Sequence, residues 1–220
     1  MARVTLALDA STYIGTVAVL RDHVLVAEGD ALMRGEQEER LMPRVASVLA
    51  ESGYAVSDVE RVICGGGPGS FTSLRIAGAI AKGIAMGNEV PLYGVSSLAL
   101  IVAGHRPSLA DGRYLALLDA MRDERYAALY AVTNGVVTEI ETVGRVAVAD
   151  LALLCEQKAA RAIGPREMID AAPHARGVAI MLDGILAAGA VPLDSWEPEY
   201  GRLAEAQVKW EAAHGRPLPA

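Results

Sequence analysis

Apolar and polar positions follow one another in blocks along this chain, and the blocks occur twice. Residues 4–8 form a short apolar run closed by Asp9, and two more runs follow, 15–20 and 24–27, parted by the turn-like Arg21-Asp22. In the second half, runs at 126–132 and 136–140 are parted by Asn134-Gly135, a strong hairpin signal because both residues tolerate positive φ. Residues 3–10 read Arg-Val-Thr-Leu-Ala-Leu-Asp-Ala, and residues 113–120 read Arg-Tyr-Leu-Ala-Leu-Leu-Asp-Ala, aligned without gaps. Each half is therefore expected to open with a three-strand meander.

The period then changes from two to 3.6. Residues 36–52 place Leu41, Val45, Val48 and Leu49 on one face with charges opposite, the pattern of an amphipathic helix. A buried-type strand at 59–64, a glycine loop and a helix over 71–86 complete the first half. In the second, helices at 150–158 and 174–188 flank a short strand at 161–163, and a last helical stretch covers 203–214. The order β-β-β-α-β-α in each half predicts an α/β protein of two tandem ribonuclease H-like lobes, mixed sheets flanked by helices. That is the layout of the actin-like ATPase and sugar-kinase superfamily. The His-Arg-Pro-Ser break within residues 104–111 puts the boundary between lobes 1–107 and 108–220.

Composition narrows the function classes. Of 220 residues, 52% are apolar and 21% charged, which excludes disordered, collagen-like and disulfide-scaffold chains. The 20 Lys+Arg against 27 Asp+Glu give a net charge of −7, so the chain is a poor solitary ligand for nucleic acid, whose phosphates require a positive surface. Cys64 and Cys155 make no metal-spaced pair, as suits a reducing compartment. No secretory pattern opens the sequence and no apolar run reaches the ~18 residues of a membrane span. A soluble cytoplasmic protein without membrane contact is expected.

Candidate chemistry centres on Gly65-Gly66-Gly67-Pro68-Gly69-Ser70-Phe71-Thr72, which leaves a strand and opens a helix with Ser70 or Thr72 as N-cap. Free N–H groups at a helix start favour an anion, and glycines allow close approach. Yet the lysine of a P-loop is missing, and Ser70 stands where a dinucleotide fingerprint has its third glycine. Spacing favours a tight turn and leaves phosphate contact open. The following helix carries Ala77, Gly78, Ala79, Ala81, Gly83 and Ala85, and interior glycine is tolerated where something packs closely. Asp9-Ala10-Ser11-Thr12 is a second candidate, either a self-bonded turn or a phosphate and metal site of the actin-like kind. Asp119, at the repeated position, is followed by Met121-Arg122-Asp123-Glu124 without small hydroxyls. His23, His105, His174 and His214 have no metal-ligand spacing, Ser96-Ser97 lacks the final glycine of a nucleophile elbow, and no catalytic set emerges.

Residues 67–77 closely resemble the GPGSFTGLRIG signature of the TsaB (YeaZ) family, departing from it at Ser73 and Ala77. Arg40-Leu41-Met42-Pro43 resembles the family's "RLLP". Residues 91–98 resemble "PLxGVSSL", Asp119 to Tyr126 resemble "DAR…EVY" with the arginine shifted to Arg122, and Pro198-Glu199-Tyr200-Gly201-Arg202 resembles the "YLR" segment. The resemblance implies a non-catalytic subunit for synthesis of threonylcarbamoyladenosine on tRNA. Such a subunit pairs with a TsaD-type transferase, is joined by a TsaE-type ATPase, forms a homodimer when the partner is absent, and meets tRNA only through the complex. The first two helices would form the shared surface, with Leu41, Val45, Val48, Phe71, Leu74, Arg75 and Gly78 as interface residues. Nucleotide would not be held firmly by the chain alone. ATP or ADP at the junction with the partner would meet Asp9, Ser11, Thr12, Gly67, Gly69 and Ser70. TsaD-type proteins bind metal through a His-x-x-x-His pair, whereas residues 36–43 hold no histidine, so neither a metal site nor the older peptidase label has a chemical basis. The alternative is a small-molecule kinase or ATPase of the actin/sugar-kinase type, favoured by fold and Asp9 and disfavoured by the missing second phosphate loop.

Overall fold

The computed structural model describes residues 3–33, 39–201 and 214–215. The expected last helix, 203–214, lies outside the described residues except for His214, as does the start of the helix expected from residue 36. In chain order the elements are β1 (Val4–Asp9), β2 (Ile14–Arg21), β3 (Val24–Leu32), α1 (Leu41–Ser52), β4 (Arg61–Gly65), α2 (Phe71–Gly87), β5 (Leu92–Val95) and α3 (Ser97–Ala103). The second half adds β6 (Gly112–Asp119), β7 (Glu124–Thr133), β8 (Val136–Ala147), α4 (Leu151–Lys158), β9 (Arg161–Gly164), β10 (Ile169–Asp170) and α5 (Val178–Ala188).

Two five-stranded sheets form, ordered β3-β2-β1-β4-β5 and β8-β7-β6-β9-β10, so each half repeats the other strand for strand. β2 runs antiparallel to β1 and β3, while β1, β4 and β5 are parallel. The Asn134-Gly135 turn has φ of 51° and 76°, as a two-residue hairpin requires. Both sheets are thus ribonuclease H-like, in tandem. Three boundaries move from expectation. α1 is helical from Leu41, where the Glu39 carboxylate accepts the free N–H groups of Leu41 and Met42. β4 starts at Arg61 rather than at residue 59, and α5 starts at Val178, after a short turn at Ala175–Gly177.

Helices cover both faces of the first sheet. α1 and α2 bring Leu41, Val45, Val48, Leu49, Ala77, Ala81 and Ala85 onto Leu6, Leu8, Val17 and Val19. The opposite face, with Ala7, Ala18, Leu20 and Ile63, receives Val178, Leu182 and Ile185 of α5. α3 packs instead on the second sheet, placing Leu98, Ile101 and Val102 against Tyr114, Ala116 and Tyr130. Among the described residues, the last helix of each half therefore lies on the other half's sheet. The two crossovers touch where a Cβ added to Gly177 would stand 2.7 Å from the Gly104 nitrogen. The Glu28 carboxylate ties them, accepting from Arg106 at 2.6 Å and Arg176 at 2.9 Å.

Candidate functional site

β1 ends in Asp9, which is fully buried. One carboxylate oxygen accepts from the Ser11 amide (2.9 Å) and the Ser11 hydroxyl (2.7 Å), and the other accepts from the Ser97 hydroxyl. Ser97 Oγ in turn accepts from Gly67 N–H at 3.1 Å, and Ser97 N–H donates to the Gly67 carbonyl at 2.8 Å. Burial raises the Asp9 carboxyl above its ordinary pKa, opposed by the Ser97 and Ser11 hydrogen bonds. The N–H groups of Gly66 and Ser70 are also occupied, by the carbonyls of Val95 and Ser11. Asp9, Gly67 and Ser70 thus form a brace joining β1, the glycine loop and the start of α3. Asp119, its counterpart in the repeat, is exposed and bonded to Met121 N–H and Arg125.

The glycines of the loop make room for this chain itself. A Cβ on Gly65 would stand 1.9 Å from Asp9 Oδ2, one on Gly69 2.2 Å from the Ser11 carbonyl, and one on Gly67, whose φ is +93°, 2.3 Å from the Glu199 carbonyl. The last contact belongs to a strap, residues 191–200, laid across the cleft between the sheets. Its Val191 N–H donates to Leu92 and its Glu199 N–H to Gly66, at 2.8 and 2.6 Å. Trp196 lies over Gly94 and Gly66, Pro198 over Gly78, and the Tyr200 ring stands 4.5 Å from that of Phe71. Beside the strap opens a cleft of about 850 Å³. Ser11, Thr12, Gly69 and Ser70 line it together with Asp119, Arg125 and Arg166, whereas Gly67 lines the cavity on the other side of the strap and Asp9 lines neither. Ser70 occupies the N-cap position of α2, but its hydroxyl bonds Ser73 Oγ at 3.1 Å rather than a backbone N–H.

The expected partner-facing residues divide. Leu41, Val45, Val48 and Leu74 are fully buried, and Gly78 is covered by Pro198 at 3.3 Å from its Cβ position. Leu41, Val45 and Val48 pack against the chain's own sheet, so all five residues are buried within the chain itself. Phe71 is half-buried and Arg75 exposed, its guanidinium 5.3 Å from the Phe71 ring centroid. The outward face instead carries Pro43, Ala46 and Ala50 of α1 with Thr72, Arg75, Ala79, Gly83 and Met86 of α2. Among the described residues, nothing beyond the helix's own backbone and the two chain neighbours lies within 4 Å of a Cβ on Gly83. Sequence reasoning did not single out Ser97, whereas Ala79 and Gly83, which it placed one step off the small-residue stripe, lie on this outward face. Among the described residues, no group of three or more His, Cys, Asp or Glu is placed to hold a metal ion, and no helix is long and apolar enough to cross a membrane.

The family model described as "TsaD: tRNA N6-adenosine threonylcarbamoyltransferase" matches residues 34–168. The tRNA threonylcarbamoyladenosine biosynthesis protein TsaB of Bacillus subtilis is 32% identical over 153 residues, 70% of this chain and 66% of that protein. Its Escherichia coli namesake is 38% identical over 125 residues, 57% and 54%. The chain belongs to the TsaB/YeaZ family. It spans about two thirds and about half of the length of these two relatives. Among solved structures, YeaZ from Pseudomonas aeruginosa superimposes with a TM-score of 0.72 at 28% identity, over 90% of this chain and 99% of that one. A protein described as similar to peptidase YEAZ, also from Pseudomonas aeruginosa, does so at 0.77 and 27%, over 91% and 100%.

Proposed function

We propose that this chain is a non-catalytic docking subunit in threonylcarbamoylation of adenosine in tRNA, pairing with a TsaD-type transferase through the outward face of α1 and α2. The observation that carries this reading is that face itself: two adjacent helices whose outer positions are mostly alanine, glycine, proline and methionine. Small residues let a partner's backbone come close, and the exposed apolar area is then removed from water. Family membership supports the pathway. In this reading a TsaE-type ATPase joins the pair, a second copy of the chain takes the same face when the transferase is absent, and tRNA is held mainly by the partners, in keeping with the net charge of −7. ATP or ADP would be met at the partner junction, through the cleft that Ser11, Thr12, Gly69 and Ser70 line. The complex would work in the cytoplasm. The kinase reading is weakened by the closed hydrogen bonding of Asp9.

The test is co-purification with the transferase subunit of the same organism, with masses read by light scattering. Wild type should give a heterocomplex at the expense of its homodimer. Gly83→Arg, on the open side of α2, should abolish both while leaving the unfolding temperature unchanged. Failure of wild type to bind, or undiminished binding by Gly83→Arg, overturns the assignment.

A further inference from the structure

The strap deserves a role of its own because of where it touches α2. It contacts neither the core face of that helix nor the outward one, but the flank between them, at Phe71 and Gly78. Pro198 is buried there with its Cγ 3.3 Å from the Gly78 Cβ position, and the Tyr200 ring packs on Phe71 with centroids 4.5 Å apart and planes inclined by 46°. Phe71 carries the Arg75 guanidinium 5.3 Å from its ring centroid, so a chain of contacts runs from Tyr200 through Phe71 to an exposed cation on the outward face. The strap is in turn pinned to the glycine loop by the Glu199–Gly66 hydrogen bond and lies over Gly67. Cavities open on both sides of it, the cleft of about 850 Å³ bordered by Tyr200 and another of about 590 Å³ bordered by Trp196, Glu197 and Glu199. With these spaces on either side, the strap is what supports the flank of α2 at Phe71 and Gly78 among the described residues. The helix needs such support, because interior glycines weaken its own hold on its shape.

We propose that residues 196–200 position α2 for docking: Pro198 and Tyr200 fix its first two turns, and Arg75 with them. Affinity for the partner then depends on strap residues outside the small-residue docking face. The inference rests on the docking role proposed above for α1 and α2.

The test measures transferase binding by titration calorimetry for wild type and four variants, with unfolding temperatures and amide exchange of residues 71–78 in parallel. Tyr200→Ala should weaken binding up to about tenfold, the worth of one aromatic pair, and speed that exchange with little change in unfolding temperature. Tyr200→Phe, which keeps the stack, should bind as wild type does. Pro198→Gly, which loosens the strap and withdraws its ring from Gly78, should weaken binding in the same direction. Wild-type affinity in both Tyr200→Ala and Pro198→Gly, with Gly83→Arg still unable to bind, overturns the strap inference and leaves the docking face standing. Undiminished binding by Gly83→Arg overturns the docking face instead.

Discussion

Asp9→Ala removes the acceptor for three donors, the Ser11 amide, the Ser11 hydroxyl and the Ser97 hydroxyl. The hydroxyls can rotate toward other acceptors, but the Ser11 N–H is fixed by the backbone, and Ser11 is buried. An orphaned buried donor costs about 1–3 kcal/mol, and a hydrogen bond to a charged acceptor contributes about 1.5–3 kcal/mol. Loss of the carboxylate also relieves its desolvation, the largest influence on its raised pKa, so a net loss of about 2–3 kcal/mol is expected. Asp9→Asn keeps the shape: its carbonyl accepts from Ser11, and its amide donates to Ser97 Oγ. That variant should lose less than about 1 kcal/mol. The pH dependence follows from the same burial. The folded chain holds the Asp9 proton more tightly than the unfolded chain, whose group titrates near 3.8. The wild type therefore gains stability relative to Asp9→Asn as pH falls through the raised folded value, fully so below 3.8, and loses that gain as pH rises. Urea unfolding followed by circular dichroism measures all three proteins. Asn as damaging as Ala at neutral pH, or Ala without measurable cost, would refute the brace.

Gly65→Ala would place a methyl 1.9 Å from Asp9 Oδ2 and should cost about 1–3 kcal/mol by overpacking; the cost should shrink in an Asp9→Ala background, read from the same urea curves. Cys64 is fully buried, with burial and the Asp9 charge both pushing its thiol up. In a thiol-reagent assay of native protein, only the half-buried Cys155 should react, and both should react in urea. Glu28→Gln weakens the carboxylate that ties the two crossovers at Arg106 and Arg176. It should lower stability by about 1 kcal/mol in dilute buffer and by less in molar salt, since the cluster is partly exposed.

Much of the architecture was legible because it is written in local chemistry. The gapless match of residues 3–10 to 113–120, the Asn-Gly hairpin and the switch of period each depend on neighbours a few positions apart, and the two sheets repeat as that match implies. β5 and α3 escaped notice because residues 92–103 are largely buried and apolar, and such a run reads alike as strand or helix. The candidate site was legible as a place but not as a set of partners. The motif located a tight strand-to-helix turn, and no property of Gly65 or Gly67 in sequence says that one shelters Asp9 and the other Glu199.

The amino-acid sequence by itself determined the two-fold repeat and the hairpin, which follow from short-range periodicity, the net charge of −7, which follows from composition, and the family signature, which is read by resemblance. Only the tertiary structure decided which side of α1 and α2 remains open. Amphipathic spacing identifies an apolar stripe but not whether the chain's own sheet or another protein covers it, and here the sheet takes Leu41, Val45 and Val48. It also decided what the glycine loop holds, because Ser97 meets Asp9 across 88 positions of sequence, and that contact exists only once β1, β4 and β5 lie side by side in the first sheet.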